Sequence, residues 1–333
     1  MRQRMSAAIL LAAGTLSLTA CGSGVSGGPA ADGAAAAVTI MNCGREVGIA
    51  SEPTAVVGMS PSQTELLLRL GLADRLVGQA QTATAPLPGD LTDEAAGIPV
   101  LSETTPPSRE ELLRVEPDFV FSPTTYEFTA EQGFASLEQL DEAGVAAYVA
   151  TGGCFDRRMA GTVDDLFVDL KNLGEIFGVQ DAADGLIQEG AAQLAEIETA
   201  VAGRELPRVA QVYVEGSTLS AIGAGIEYDI VRLAGGDNVF SPDDPQFADF
   251  FAAQISPESL AALDPDALVF AVADAEQERA TVDYLTRTFP TLSAVRQGRL
   301  IPVSAADTFP GTLGNISVVR EIAEQLHPDA FDR

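Results

Sequence analysis

Two segments of this chain follow nearly the same pattern, and the repetition limits the possible folds more than any other feature of the sequence. SREELLRVEPDFVF begins at Ser108 and SPESLAALDPDALVF begins at Ser256, 148 residues further on. Each starts with a serine suited to cap a helix, continues with a helical apolar pattern, and turns at Pro-Asp into an apolar run typical of a buried strand. The pattern predicts the same helix–strand unit twice, in two lobes of similar construction.

Apolar runs and helical patterns alternate along the chain on both sides of its middle. Runs rich in β-branched or aromatic residues are typical of strands, and they occupy residues 55–59, 119–122, 146–150, 209–214, 267–272 and 300–303. Helical patterns lie at residues 63–70, 109–116, 135–143, 228–234, 257–263 and 316–326. This alternation predicts an α/β fold with two Rossmann-like lobes, each containing a parallel sheet.

The middle of the chain predicts a single long helix between the lobes. Residues 161–179, GTVDDLFVDLKNLGEIFGV, place apolar side chains at steps of three or four, which is the pattern of a helix with one apolar stripe. The domain prediction is therefore an N-terminal α/β lobe at 41–160, a connecting backbone helix at 161–180 and a C-terminal α/β lobe at 181–333.

The pattern of the N-terminal residues predicts an export signal that is not part of the fold. Arg2 and Arg4 precede an apolar stretch that ends in LTAC at Cys21. The tetrapeptide resembles a lipobox, so residues 1–21 are expected to be a signal peptide, with Cys21 carrying lipid and residues 22–40 forming a flexible tether. The alternative is an ordinary Ala-type cleavage site. We expect a monomer outside the cytoplasmic membrane, anchored to its outer face by lipid alone.

Charge and cysteine content narrow the class of protein. The formal net charge of −29 argues against binding nucleic acid, which requires basic surface, and suits an exported protein. Cys43 and Cys154 remain after Cys21 is lipidated, and an even pair in an oxidising compartment favours a disulfide. A metal site at these thiols is the other possibility, but the only histidine is His327, near the C-terminus.

Catalysis is not expected. The thiols are assigned to lipid and to a disulfide, His327 stands at a predicted helix end, and the sequence has no nucleophile elbow or phosphate-binding loop. We therefore predict no cofactor, no resident metal and no enzymatic activity. A carboxylate-dependent hydrolase on the same two-lobed scaffold is an alternative, and it would need two acids facing each other across the cleft.

Ligand binding between the lobes is the expected activity. Ligands of open α/β sheets bind outside the carboxyl ends of the strands, and aromatic rings there can lie against a large, flat or chelated ligand. The alternative is that these rings close the ends of the sheets. The candidate ligand contacts are Ser60, Gln63, Thr104, Thr105, Thr124, Tyr126, Phe128, Tyr213, Glu215, Glu227, Phe247, Phe250, Phe251, Phe309 and Asn315.

Several segments resemble a known family. The lipobox, residues 51–79, residues 108–121, LDEAGVAAYV at 140–149 and IVRLAGGDNVF at 230–240 are similar to the extracytoplasmic solute-binding proteins of ABC importers for ferric siderophores, haem and vitamin B12. The resemblance implies two lobes joined by one rigid helix, a ligand in the cleft between them, and an ABC permease and ATPase complex as partner. The NCG at 42–44 and a mid-chain cysteine resemble an actinobacterial subgroup, some of whose members are proposed to bind a precursor of the deazaflavin coenzyme F420.

The same resemblance implies permease docking by Glu110 and Glu258, since the family carries one acidic residue on each lobe that meets permease arginines. Both also fall at the second position of a predicted helix, where a carboxylate complements the helix dipole. A non-transport sensor lipoprotein is a further alternative.

The expected cleft loops contain no arginine, unlike relatives that bind anionic catecholates. We therefore expect a neutral or cationic chelate, for example a hydroxamate-type ferric complex, or a corrinoid.

Overall fold

The computed structural model describes residues 38–331 of the chain. The strands in this range are β1 Val38–Asn42, β2 Arg45–Ile49, β3 Val56–Gly58, β4 Leu76–Gln79, β5 Phe119–Ser122, β6 Ala146–Val149, β7 Arg208–Glu215, β8 Thr218–Ile222, β9 Asp237–Asn238, β10 Ala252–Gln254, β11 Ala267–Val272 and β12 Leu300–Ser304. The helices are α1 Pro61–Arg69, α2 Thr92–Ala95, α3 Arg109–Arg114, α4 Leu137–Glu142, α5 Asp165–Phe177, α6 Gln180–Val201, α7 Gly225–Leu233, α8 Pro257–Leu263, α9 Ala275–Thr288, α10 Ser293–Gln297, α11 Gly314–Leu326 and α12 Pro328–Phe331.

The first lobe is built on a four-stranded sheet in the order β4-β3-β5-β6. All of its strand pairs are parallel. Every residue of β3 and β5 is buried, as expected when helices cover both faces of a parallel sheet. Parallel pairing places the carboxyl ends of all four strands at one edge of the lobe.

The second lobe contains the sheet β10-β8-β7-β11-β12, with β9 pairing β7 at its amino end. Strands β7, β11 and β12 are parallel, but β8 runs antiparallel to β7, and β10 runs antiparallel to β8. The prediction of two α/β lobes is thus confirmed, whereas the second sheet is mixed. The cause is a tight hairpin, since Glu215 pairs with Thr218 and only Gly216 and Ser217 separate them.

The connection between the lobes consists of two helices, α5 and α6. Helix α5 begins at Asp165, four residues later than the predicted helix, and is about 20 Å long at 1.5 Å per residue. Two hydrogen bonds hold the preceding backbone outside the helix. The N–H of Thr162 donates to the Asp165 carboxylate at 2.9 Å, and the N–H of Val163 donates to the Asp229 carboxylate at 2.9 Å.

One apolar cluster runs continuously from the first sheet, through α5, to the second sheet. Leu166, Leu170 and Leu173 of α5 belong to it and are almost completely buried. At the end of α5, the Phe177 ring meets Phe119 of β5 edge to face, with 5.1 Å between centroids. The two lobes therefore share a core and are not joined only by a covalent linker. Within residues 38–331, no helix combines the length and apolarity that a membrane span needs.

The NCG motif forms the turn of the β1–β2 hairpin. Cys43 and Gly44 both have positive φ, 51° and 71°, as a two-residue hairpin turn of this kind requires. Cys43 is bonded to Cys154, which confirms the predicted disulfide. The Asn42 side chain pairs with the backbone of Val149 through bonds of 2.7 and 2.9 Å. The motif thus fastens the hairpin to the edge of the first sheet.

The repeated segments form equivalent helix starts in the two lobes. Ser108 caps α3 in a reciprocal capping box with Glu111, and Ser256 caps α8 by accepting the Ser259 N–H at 3.1 Å. Both predicted caps are confirmed. Glu110 and Glu258 occupy the second position of their helices, and both are exposed.

Candidate functional site

A cleft of about 400 Å³ lies between the loops at the carboxyl ends of the strands of both lobes. From the first lobe it is lined by Ser60, Pro61, Ser62, Gln81, Thr84, Pro123, Thr124, Tyr126 and Glu127. From the second lobe it is lined by Ala273, Ala305, Ala306 and Phe309. These residues follow β3, β4, β5, β11 and β12, so the cleft occupies the place where parallel sheets bind ligands.

A larger groove, of about 680 Å³, runs along α6 and α11. Its walls include Ala192, Ala195 and Ala200, and it lies on the outer helices, away from the strand ends. Its charged side chains, Glu196 and Arg320, are already paired with each other at 2.9 Å, so they are not free to orient a small ligand. The smaller cleft between the lobes is therefore the candidate site.

The first-lobe wall of the cleft is polar and internally hydrogen-bonded. Ser60 Oγ lies 3.1 Å from Ser62 Oγ and also bonds to the Gln63 amide oxygen. Gln81 donates from Nε2 to the carbonyl oxygen of Met59 at 2.7 Å. These bonds hold the side chains in place before any ligand arrives, which reduces the entropy lost on binding.

Glu127 is the acidic side chain of this wall. It stands in the short 3-10 turn Tyr126–Phe128, and its Oε2 accepts hydrogen bonds from Thr124 Oγ1 at 2.6 Å and Ser122 Oγ at 3.1 Å. Burial raises the pKa of Glu127 above its ordinary value, and these hydroxyl bonds oppose the shift.

The second-lobe wall is apolar, formed by three alanines and the half-exposed ring of Phe309. Asn315, at the start of α11, donates from Nδ2 to the carbonyl oxygens of Asp307 at 2.7 Å and Phe309 at 3.0 Å. The segment that carries Phe309 is thereby fixed. Phe309 faces the cleft from one lobe and Tyr126, 55% exposed, from the other.

Four of the predicted contact residues line this cleft: Ser60, Thr124, Tyr126 and Phe309. Three other predicted contact residues form hydrogen bonds or an ion pair within the protein. Gln63 donates from Nε2 to the carbonyl oxygens of Pro310 and Gly311, each at 3.2 Å, and so bridges the lobes. Asn315 positions the Phe309 segment. Glu227 forms an ion pair with Arg158, in which Nη1 of Arg158 lies 3.0 Å from Oε2 of Glu227.

Two of the predicted aromatic contacts are core residues. Phe247 is fully buried and packs edge to face on Phe240, with 6.1 Å between centroids. Phe128 is 6% exposed and belongs to the apolar cluster on the outer face of the first sheet. Both were predicted to contact ligand, but they lie in the apolar cores and do not line the cleft, because burial removes their rings from water.

The remaining candidates lie outside the lining of this cleft. Thr104 and Thr105 are exposed, and Tyr213 and Glu215 belong to β7 and its hairpin. Phe251 contacts the Phe250 ring, with 4.4 Å between centroids, and the Arg158 guanidinium, whose carbon lies 3.7 Å from the Phe251 ring centre.

Gln81, Thr84 and Glu127 line the cleft but were not among the sequence candidates. The first two follow β4, a four-residue strand, LVGQ, whose glycine obscures the apolar pattern that would have indicated it. Glu127 lies between the candidates Tyr126 and Phe128 but resembles an ordinary surface acid in the sequence. Only its position relative to Ser122 and Thr124 shows that it is buried.

The lobes also meet beside the cleft, at Asp169 of α5. Its carboxylate is fully buried, and Oδ1 accepts bonds from Tyr148 OH at 2.8 Å and from the backbone N–H and hydroxyl of Thr151 at 2.8 and 2.6 Å. Oδ2 has no hydrogen-bond partner. Burial raises the Asp169 pKa to about 7. Gly311 of the second lobe lies next to Oδ2 and adopts φ +69°.

Two lobes of α/β construction, a shared core and a cleft at the facing strand ends define a binding protein. Residues 56–305 match the periplasmic binding protein family, and the chain belongs to that family. The family resemblance identified from the sequence motifs is thus confirmed.

Three relatives show the range of the similarity. An uncharacterised ABC transporter substrate-binding lipoprotein of Bacillus subtilis, YvrC, is 24% identical over 288 residues, covering 86% of this chain and 84% of that protein. A cobalamin-binding protein of Halobacterium salinarum is 28% identical over 228 residues, covering 67% of this chain and 55% of that protein. The crystal structure of an ABC-type Fe3+-hydroxamate transport system from Saccharomonospora viridis superposes with a TM-score of 0.70 at 22% identity, covering 86% of this chain and 98% of that chain.

Proposed function

We propose that this protein is the ligand-capturing component of an ABC importer and that it binds a ferric siderophore or a related chelate or corrinoid in the cleft between its lobes. The observation that carries the proposal is the cleft itself, whose walls come from the strand ends of both lobes and present one aromatic ring from each. Membership of the periplasmic binding protein family agrees with this role.

The relatives support the choice of ligand class. The Halobacterium relative is named for cobalamin and the Saccharomonospora structure for a ferric hydroxamate. Both are bulky complexes in which a metal is already enclosed by an organic ligand. A cleft with an apolar wall, a hydrogen-bonding wall and two exposed rings suits such a molecule better than it suits a bare ion.

The charge of the cleft favours a neutral or cationic complex. Among the residues that the structure describes, no lysine or arginine lines the cleft, and Glu127 is its acid. A phosphorylated deazaflavin precursor or a catecholate trianion would meet no cation there. A carboxylate-dependent hydrolase would need a second acid facing Glu127, and none of the described residues that line the cleft is such an acid.

The mature protein is proposed to be a lipoprotein at the outer face of the cytoplasmic membrane. Cys21, its proposed lipid attachment site, and residues 22–37 of the predicted tether lie outside the described residues. Residues 38–40 were also assigned to the tether, but they belong to strand β1, so the folded part begins earlier than predicted. Glu110 and Glu258 stand at equivalent positions on the two lobes, exposed at the starts of α3 and α8. They are proposed to pair with arginines of the permease, since charge-assisted hydrogen bonds on both lobes would fix the orientation of docking.

A thermal-shift and calorimetric screen of the purified protein tests the proposed function. The probes are a ferric trihydroxamate, haemin, cyanocobalamin, ferric enterobactin and a deazaflavin. Because a ligand that binds only the folded state raises the unfolding temperature by mass action, at least one neutral or cationic chelate should stabilise the protein. If none of the metal complexes binds, the proposed function is wrong.

A further inference from the structure

Five acidic side chains are buried in the part of the chain that the structure describes: Glu127, Asp165, Asp169, Glu227 and Asp229. Three of them are paired with arginine, since Asp165 meets Arg157, Glu227 meets Arg158 and Asp229 meets Arg232. Asp169 is enclosed in the shared core and has no access to the cleft solvent. Glu127 differs from the three paired acids because within residues 38–331 it has no ion-pair partner, and it differs from Asp169 because it lines the cleft.

An unpaired carboxylate at such a position is costly. Removing a charge from water is unfavourable unless a counter-charge or sufficient hydrogen bonds replace the lost hydration. Ser122 and Thr124 supply two hydroxyl donors, and both bond to Oε2. Burial still raises the Glu127 pKa despite these bonds. A cationic donor from the ligand would supply the missing counter-charge.

The surroundings of Glu127 also suit such a group. Tyr126 precedes it in the chain, and its exposed ring is supported edge to face by Phe134, with 5.8 Å between centroids. Phe309 brings a second exposed ring to the same cleft. Aromatic faces attract ammonium groups, and more strongly when water is excluded. The alanines of the second-lobe wall offer no competing acceptor side chain.

We propose that Glu127 is the specificity-determining residue of the cleft and that it selects chelates carrying a pendant ammonium group. This inference rests on the proposed function. The ammonium donates to the Glu127 carboxylate between Tyr126 and Phe309, while the enclosed metal centre occupies the rest of the cleft. Chelates whose outer groups are anionic are rejected, because they place like charge against Glu127 and none of the described residues that line the cleft is a cation.

A matched pair of probes isolates this contact. Ferric desferrioxamine B is a trihydroxamate with a free ammonium, and its N-acetyl derivative has the same iron coordination but no charge at that end. Calorimetric dissociation constants are measured for both with the wild-type protein, Glu127→Gln and a control, Glu65→Gln. Glu65 is an acid of α1 outside this cleft, paired with Arg69 at 3.6 Å.

The wild-type protein should bind the ammonium complex about 10- to 100-fold more tightly than the acetylated one, since a hydrogen bond between charged groups contributes about 1.5–3 kcal/mol. Glu127→Gln should reduce the preference to about twofold or less, while Glu65→Gln should keep it. Equal binding of the two probes by the wild-type protein, or a preference that survives in Glu127→Gln, overturns the inference.

Failure of the inference can be distinguished from failure of the proposed function. Cyanocobalamin and haemin are titrated alongside the trihydroxamate pair. If either of them binds while neither trihydroxamate does, the importer role stands and selection by Glu127 is wrong. If no metal complex binds at all, both proposals fail.

Discussion

Gln63 in the first lobe donates a hydrogen bond from its side-chain amide to the carbonyl oxygen of Gly311 in the second lobe, 3.2 Å away and 248 positions along the chain. Gly311 has φ +69°, and a β-carbon there would lie 2.5 Å from Cβ of Ala150. The lobes are thus in direct contact beside the cleft at a position that has no room for a larger residue. This contact, together with the shared core along α5, limits how far the lobes can separate.

Replacing Gly311 with alanine should destabilise the protein by about 2–3 kcal/mol, because the left-handed conformation costs about 1–2 kcal/mol for a residue with a side chain and the overlap adds to it. Denaturant unfolding measures the change. Gly97→Ala is the control, since a β-carbon there meets nothing within 4 Å, and it should leave stability nearly unchanged. Equal stability of both variants would show that the lobes are not closely packed at Gly311.

Asp169 should make stability depend on pH. Its pKa is about 7 in the folded protein against 3.8 ordinarily, so between these values the folded state holds a proton that the unfolded state releases. Its favourable contribution is therefore fully present below pH 3.8 and is lost as pH rises through about 7.

Asp169→Asn removes this titration and keeps an acceptor for Tyr148 and Thr151. From pH 5 to 8 the variant should gain about 2–3 kcal/mol of stability relative to the wild-type protein. Chemical unfolding at several pH values measures the difference. Asp243→Asn, at an exposed position, is the control. A difference between Asp169→Asn and the wild-type protein that is constant with pH would contradict the expected titration.

The Cys43–Cys154 disulfide closes a loop with a sequence separation of 111 residues. In the chain-entropy account, a loop of this size is worth up to about 4–5 kcal/mol. Replacing both cysteines with serine should therefore lower the free energy of unfolding by about 2–5 kcal/mol, and reduction of the wild-type protein should have the same effect. Unfolding curves that coincide for the oxidised protein and the serine variant would show that the bond adds no stability.

Docking by Glu110 and Glu258 is tested by replacing both with arginine. The double variant should lose most ligand uptake in cells, while its ligand affinity stays within about twofold, since both residues are exposed on α3 and α8, outside the cleft. Glu138→Arg with Glu276→Arg is a matched control, because these acids are also exposed and also take the second position of their helices, α4 and α9. Uptake that is retained in the first variant, or lost equally in the control, would rule out specific docking.

Ligand binding should change the overall dimensions very little. The apolar cluster that passes through α5 and the bonds of Gln63 to Pro310 and Gly311 connect the lobes before ligand arrives. Small-angle X-ray scattering of the free and ligand-saturated protein should give superimposable profiles. A clear fall in the radius of gyration would indicate a hinge closure that these contacts do not allow.

Features that depend on neighbouring residues could be predicted before the fold was known. The serine caps of α3 and α8, the strands that follow each Pro-Asp and the α/β class were predicted because caps, turns and apolar periodicity are local physical signals. The disulfide was predicted from the number of cysteines and the expected compartment.

The set of side chains that forms the cleft could be identified only in the folded protein. Glu127 and Gln81 line it, whereas Phe247 and Phe128 are buried in the apolar cores. Gln63 bonds across the lobes to a residue 248 positions away. The two-residue hairpin that turns β8 antiparallel was likewise not visible in the apolar pattern. Burial and contact at these positions depend on how distant loops converge at the ends of two sheets, and short-range patterns do not encode that convergence.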